Sequence, residues 1–179
     1  MRKLLLIIFS LITICMSAQT KSKTEQNKAV MEEQANDGVK ESRKLFLASS
    51  FKDVAKLFAD FTGEELKGKS VTFIPTASIP ESVKFFVSSG RKALEKLGLT
   101  VDELELTQAT GEEIRNKLEK NDYIYITGGN TFFLLQELKK TGADKIIIEQ
   151  IEKGKTYIGE SAGSIIMSPN IEYVKDMDD

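Results

Sequence analysis

Residues Lys155 to Ser168 read KTYIGESAGSIIMS. A short apolar run, Tyr157 and Ile158, meets Gly159-Glu160-Ser161-Ala162-Gly163, and Ile165, Ile166 and Met167 follow at once. This is the G-x-S-x-G pattern of a nucleophile elbow, a sharp turn from strand to helix. Its small neighbours let the backbone take a strained conformation that holds a serine hydroxyl clear of the sheet. The backbone N–H groups that open the next helix face the place where negative charge develops in acyl transfer. Ser161 is therefore a candidate nucleophile. A five-residue motif also fits a glycine-rich turn that only packs a helix on a sheet, so the rest of the chain has to decide.

The sequence before the elbow alternates regularly from Lys44 onward. Leu45–Ser49 is a short apolar run, and 51–66 carries Val54, Leu57, Phe58 and Phe61 at helical spacing. Val71–Pro75 reads as a strand, 81–97 as a helix stopped by Gly98, and 101–106 as a strand near a sheet edge. Further helices are expected over 111–120, 132–140 and 143–153, with strands at 123–127 and 156–158. Strands separated by helices predict an α/β fold, a doubly wound, mostly parallel sheet covered on both faces.

Such sheets bind ligands at the carboxyl ends of their strands. Gly128-Gly129-Asn130-Thr131 and the elbow both follow consecutive predicted strands, so both belong on one rim. One N–H from the glycine loop, with that of Ala162, would make an oxyanion hole. A plainer role for the loop is a tight turn in which Asn130 or Thr131 caps the next helix, and the two roles are compatible.

Composition bounds the chemistry. A chain of 179 residues suits one domain with a hydrophobic core, and 41% apolar with 29% charged residues is ordinary for a globular protein. A net charge of -2 offers no basic surface for nucleic acid. The single cysteine, Cys15, leaves no internal disulfide framework and no Cys-rich metal site. The chain contains no histidine. A serine hydroxyl is a poor nucleophile until a base takes its proton, and histidine usually fills that role.

At the start, Arg2 and Lys3 precede an apolar run from Leu4 to Cys15, followed by the small pair Ser17-Ala18. Residues 1–18 read as a secretory signal peptide, too short for an ordinary membrane span. An uncleaved anchor helix or a lipid-modified Cys15 are the alternatives. Export from a bacterial cytoplasm, periplasmic or secreted, is expected, without stable membrane association after cleavage. Residues 19–43 are polar and read as a linker, leaving 44–179 as the folded domain.

Three stretches together resemble the serine peptidase family that includes aspartyl dipeptidase (dipeptidase E) and cyanophycinase: FIPTAS at Phe73 to Ser78, YITGGNTFFLLQEL at Tyr125 to Leu138, and YIGESAGSIIMSPNIEY at Tyr157 to Tyr173. The dipeptidase branch is the closer one. The resemblance covers about residues 44 to 179 and implies a fold similar to the class I glutamine amidotransferase (flavodoxin-like) domain, with serine where those enzymes carry cysteine. It implies Ser161 as nucleophile, Gly129 and Ala162 as oxyanion donors, and Gly128, Asn130 and Thr131 as the substrate loop. Asp176 falls where the dipeptidase branch has an acid of the triad. The implied substrate is a small peptide containing aspartate, handled without metal or organic cofactor, and an oligomer is compatible with the sequence.

In that family the histidine follows the acid, in a C-terminal portion that this chain does not contain. The expectation is a family member cut short, with little activity as it stands and open sheet or helix faces that promote aggregation or dependence on a partner. A non-catalytic relative that holds a ligand on the same rim is the competing expectation.

Overall fold

The computed structural model describes residues 43–178. The expected signal peptide, Cys15 and nearly all of the expected linker lie outside the described residues. Within them the order is β1 (Leu45–Ala48), α1 (Phe51–Thr62), β2 (Ser70–Ile74), α2 (Phe85–Lys96), β3 (Thr100–Glu103), α3 (Gly111–Lys120), β4 (Tyr123–Ile126), α4 (Thr131–Thr141), α5 (Ala143–Glu152), β5 (Thr156–Glu160) and a one-turn α6 (Ala162–Ile165). Short 3-10 turns occupy Thr76–Ser78 and Glu172–Val174.

The five strands form one sheet in the order β1-β5-β4-β2-β3. Every pairing is parallel, with Leu45 opposite Tyr157, Tyr123 opposite Thr156, Val71 opposite Tyr123, and Ser70 opposite Thr100. Parallel strands need long crossovers, which the helices supply, and the period-two alternation of the strands divides the core between two faces. Phe73, Tyr123, Tyr125 and Ile158 pack under α1 and α2 with Phe51, Phe58 and Leu94. Ile74, Ile124, Ile126 and Tyr157 pack on the opposite face with Ile114 and Leu118 of α3, Leu134 of α4 and Ile147 of α5. Each tyrosine hydroxyl buried this way finds an acceptor, as burial requires: Tyr157 donates to the Gly163 carbonyl at 2.5 Å, Tyr125 to Glu160, and Tyr123 to Glu64.

Several boundaries differ from the sequence expectation, each for a local reason. The first helix ends at Thr62, not Leu66, because Gly63 turns left-handed at φ 65°. This frees Glu64 to meet Lys69 and Tyr123. The second helix starts at Phe85, not Glu81: Val83 is exposed, and only from Phe86 and Val87 onward do the apolar residues turn inward. β3 is shorter than 101–106 and does lie at the sheet edge. Beyond it Glu105 leaves the strand to accept the Thr76 hydroxyl at 2.8 Å, tying the edge to the loop after β2. The helix after the elbow is a single turn.

Lys155 closes the opposite end of the sheet. Its ammonium donates to the Leu118, Glu119 and Asn121 carbonyls at 2.5, 3.0 and 2.6 Å, satisfying the open end of α3.

Candidate active site

The loops that follow β1, β2, β4 and β5 meet at the carboxyl edge of the sheet. β1 and β5 are neighbours, but α1 packs on one face and α6 on the other, so the chain parts between them and leaves a crevice. Its volume is about 480 Å³, within the range of about 300–1,000 Å³ typical of small-molecule sites. Ser49, Ser50, Lys52 and Asp53 form the wall at the start of α1, and Glu81, Phe85, Phe86 and Ser89 the wall at α2. Gly128, Gly129, Glu160 and Ser161 close the remaining side.

Ser161 sits at φ 49°, ψ −110°, and is the only non-glycine residue with positive φ among the described residues. Such a conformation costs on the order of 1–3 kcal/mol and persists only where the surroundings over-determine it. Here they do. The Ser161 N–H donates to the Ala48 carbonyl at 2.8 Å, and its own carbonyl accepts from Ser164 and Ile165 at 2.8 and 2.9 Å. Ser164 adds a lock: its hydroxyl accepts the Ala48 N–H at 3.1 Å and reaches the Gly159 carbonyl at 2.7 Å. The ends of β1 and β5 are thus clamped on both sides of the bend, and Ser161 is left exposed.

Two glycines make the bend possible by absence of a side chain. A Cβ on Gly163 would overlap the Ile126 carbonyl, and one on Gly129, at φ 133°, would overlap the Ala77 carbonyl. A Cβ on Gly128 would stand 3.1 Å from the Ser161 Cβ. The GGNT loop and the elbow therefore do share one rim, in direct contact. Among the described residues the N–H groups of Gly129 and Ala162 have no acceptor, and the Ser161 hydroxyl has no hydrogen-bond partner.

Asn130 and Thr131 stand on the far side of that loop. Asn130 is the cap of α4, its side-chain oxygen accepting the Phe133 N–H at 2.8 Å, and Thr131 is buried at 1% exposure. Neither lines the crevice. The acid that meets the loop is Asp178, whose carboxylate accepts the Thr131 N–H at 2.5 Å while its carbonyl accepts from Asn130 at 3.3 Å. Asp176 is exposed and, among the described residues, makes no side-chain hydrogen bond or ion pair. No three His, Cys, Asp or Glu side chains among the described residues converge as a metal site requires.

Sequence reasoning missed Glu160. Only 4% exposed, it accepts the Phe51 N–H at 2.9 Å and the Tyr125 hydroxyl at 2.6 Å. One carboxylate thereby joins the start of α1 to β4 and to the residue before the nucleophile. Burial, and then the charge of Glu160, push the Tyr125 phenol well above its usual range, so it stays a donor. The available signal was an acid inside an otherwise apolar strand. Phe85, beside Phe86 in the crevice wall, was also passed over.

Residues 44–179 match peptidase family S51. An uncharacterized peptidase of Listeria monocytogenes is 62% identical over 136 residues, covering 76% of this chain and 66% of the relative. One from Pasteurella multocida is 57% identical over 136 residues, covering 76% and 65%. The chain therefore spans just under two thirds of the length of these relatives. A peptidase E of Haemophilus influenzae is 31% identical over 113 residues, covering 63% of this chain and 50% of the relative. A crystal structure of a Listeria monocytogenes protein described as peptidase E superposes with a TM-score of 0.74 at 62% identity, covering 76% of this chain and 67% of that one. A peptidase from an acI-B1 Actinobacterium gives 0.54 at 25% identity, covering 69% and 56%. The chain belongs to peptidase family S51.

Proposed function

We propose that this chain carries the nucleophile and oxyanion hole of a serine peptidase acting on small peptides. The observation that carries the reading is the exposed Ser161 on a strained bend beside the Gly128-Gly129 loop, where the Gly129 and Ala162 N–H groups have no acceptor among the described residues. Ser161 Oγ attacks the peptide carbonyl, its proton passing to a base. The carbonyl oxygen takes the negative charge between the N–H groups of Gly129 and Ala162. Collapse of the tetrahedral species expels the amine and leaves an ester on Ser161, which water then hydrolyses. Serine stands where class I glutamine amidotransferases carry cysteine, and the resemblance to aspartyl dipeptidase makes Asp-containing peptides the first substrates to assay.

The base is the part these 179 residues do not hold, since they contain no histidine. By themselves they should turn over little: well-studied triads that lose a member keep an acceleration of about 10³–10⁴ over water from the oxyanion hole and binding. Incubating the chain with an Asp-containing dipeptide and measuring released amine tests this. Hydrolysis that Ser161→Ala abolishes would show that the chain holds a working base after all.

We also propose export, with residues 1–18 as a cleaved signal peptide and 19–43 as a linker to the domain. The supporting features are the Arg2-Lys3 start, the apolar run and the small pair Ser17-Ala18. Terminal sequencing of protein recovered outside the cytoplasm tests it, and a terminus at Met1 would overturn it.

A further inference from the structure

Ser161 is held at its strained bend from both sides, and the two sides differ in kind. After the bend the hold is local, made by the turn's own backbone and the Ser164 hydroxyl. Before it stands Glu160, whose carboxylate reaches two elements distant in sequence. One oxygen takes the Phe51 N–H at 2.9 Å, at the start of α1, where the helix favours negative charge. The other takes the Tyr125 hydroxyl at 2.6 Å, in the central strand β4.

This network is buried and its members fix one another. The Tyr125 ring stacks on Phe73 with centroids 5.1 Å apart and meets Phe51 edge to face at 5.2 Å. Gly90 of α2 closes over the pair, since a Cβ there would overlap the Tyr125 hydroxyl and stand 3.4 Å from the Glu160 carboxylate. A carboxylate that turned away would leave two buried donors unpaired.

The consequence reaches Ser161 through the backbone. Glu160 lies opposite Ala48 in the sheet, and the Ser161 N–H donates to the Ala48 carbonyl. A residue at φ 49° relaxes by rotating the peptide before it or the peptide after it. Anchoring the Glu160 side chain immobilises the preceding peptide, so relaxation on that side has to break a buried hydrogen bond.

Resting on the reading of Ser161 as the nucleophile, we propose that Glu160, gripped by Tyr125 and the Phe51 N–H, is the positioning residue that keeps Ser161 at its strained bend and its hydroxyl beside the oxyanion donors. It touches no reacting atom and acts only through the chain it anchors.

Amide hydrogen exchange and carbon chemical shifts, read by NMR on the 179-residue chain, test this without turnover. Tyr125→Phe keeps the ring and removes the hydroxyl. It should speed exchange of the Ser161 N–H about tenfold more than that of the Val71 N–H in β2, the factor carried by one buried hydrogen bond to a charged group. Tyr123→Phe loses a hydroxyl bonded to Glu64 on the same strand and should show no such excess. Glu160→Gln, with one acceptor for two donors, should show the excess and move the Ser161 Cα and Cβ shifts toward ordinary backbone values. A general loss of stability does not move those shifts. Unchanged exchange at Ser161, a uniform rise across the sheet, an equal excess in Tyr123→Phe, or unmoved shifts in Glu160→Gln each overturn the proposal. Should Glu160→Gln fail to fold, the comparison of Tyr125→Phe with Tyr123→Phe decides. The nucleophile itself is judged separately, by boronate capture on the unmodified chain against Ser161→Ala.

Discussion

Glu160 accepts the Tyr125 hydroxyl at 2.6 Å, one residue before the serine that the bend exposes. The same carboxylate takes the Phe51 N–H, so it stands in for the side-chain cap that Ser50 does not provide at the start of α1. Glu160→Ala leaves two buried donors without an acceptor. The expected loss of stability is about 2–6 kcal/mol, since each of the two orphans costs about 1–3 kcal/mol. Glu160→Gln keeps the shape but offers one acceptor oxygen to two donors, so it should lose about half as much. Urea unfolding measures both, and a Glu160→Ala chain as stable as the parent would contradict the clamp.

The buried tyrosines set an alkaline limit. Burial is the first cause holding the Tyr123, Tyr125 and Tyr157 phenols above their ordinary value, with Glu64 and Glu160 reinforcing it at the first two. Each is a better proton holder folded than unfolded, so its stabilising contribution is complete below about pH 10, the unfolded phenol value, and declines as pH rises beyond it. Melting temperature should fall more steeply above that pH in the parent than in Tyr125→Phe. Parallel curves would contradict this.

Gly163 and Gly111 make an opposed pair. Gly163→Ala drives a methyl into the Ile126 carbonyl, whereas nothing lies within 4 Å of a Cβ at Gly111. The first substitution should cost about 1–3 kcal/mol or more through overpacking. The second should be neutral or stabilise by up to about 1 kcal/mol, by restricting the unfolded chain. Equal effects in thermal unfolding would remove the close approach of elbow and β4 from the account.

Asp178 and Asp176 should also behave differently. Asp178→Ala loses the bond to the Thr131 N–H at the start of α4 and should cost about 0.5–1 kcal/mol. Asp176→Ala, at an exposed position, should leave unfolding unchanged. A reversed order would move the structural role to Asp176.

Much of this architecture was legible because local and global signals agreed. Ile124 and Ile126 alternate with Tyr123 and Tyr125, and both sets are buried, as a central strand of a two-faced sheet requires. Gly128-Gly129 and the elbow could be put on one rim by the topology rule alone. The parts that stayed hidden depend on contacts distant in sequence. Phe51 and Glu160 are 109 residues apart, and nothing at either position announces the other. Phe85 was unreadable for the opposite reason, since an aromatic residue at a helix start is ordinarily core and only the crevice beside it gives its exposure meaning. Asn130 and Thr131 follow the glycine pair but do not line the crevice, because the Asn130 side chain caps α4 and the Thr131 N–H is taken by Asp178.

The most direct test of the central claim is capture of Ser161 by a peptidyl boronic acid, in which the serine oxygen bonds to boron and mimics the tetrahedral species without need of a leaving group. Boron NMR and intact mass should show a tetrahedral adduct on the 179-residue chain, mapped to Ser161 and absent from Ser161→Ala. An adduct that survives Ser161→Ala, or one mapped to another residue, would contradict the assignment of Ser161 as the nucleophile.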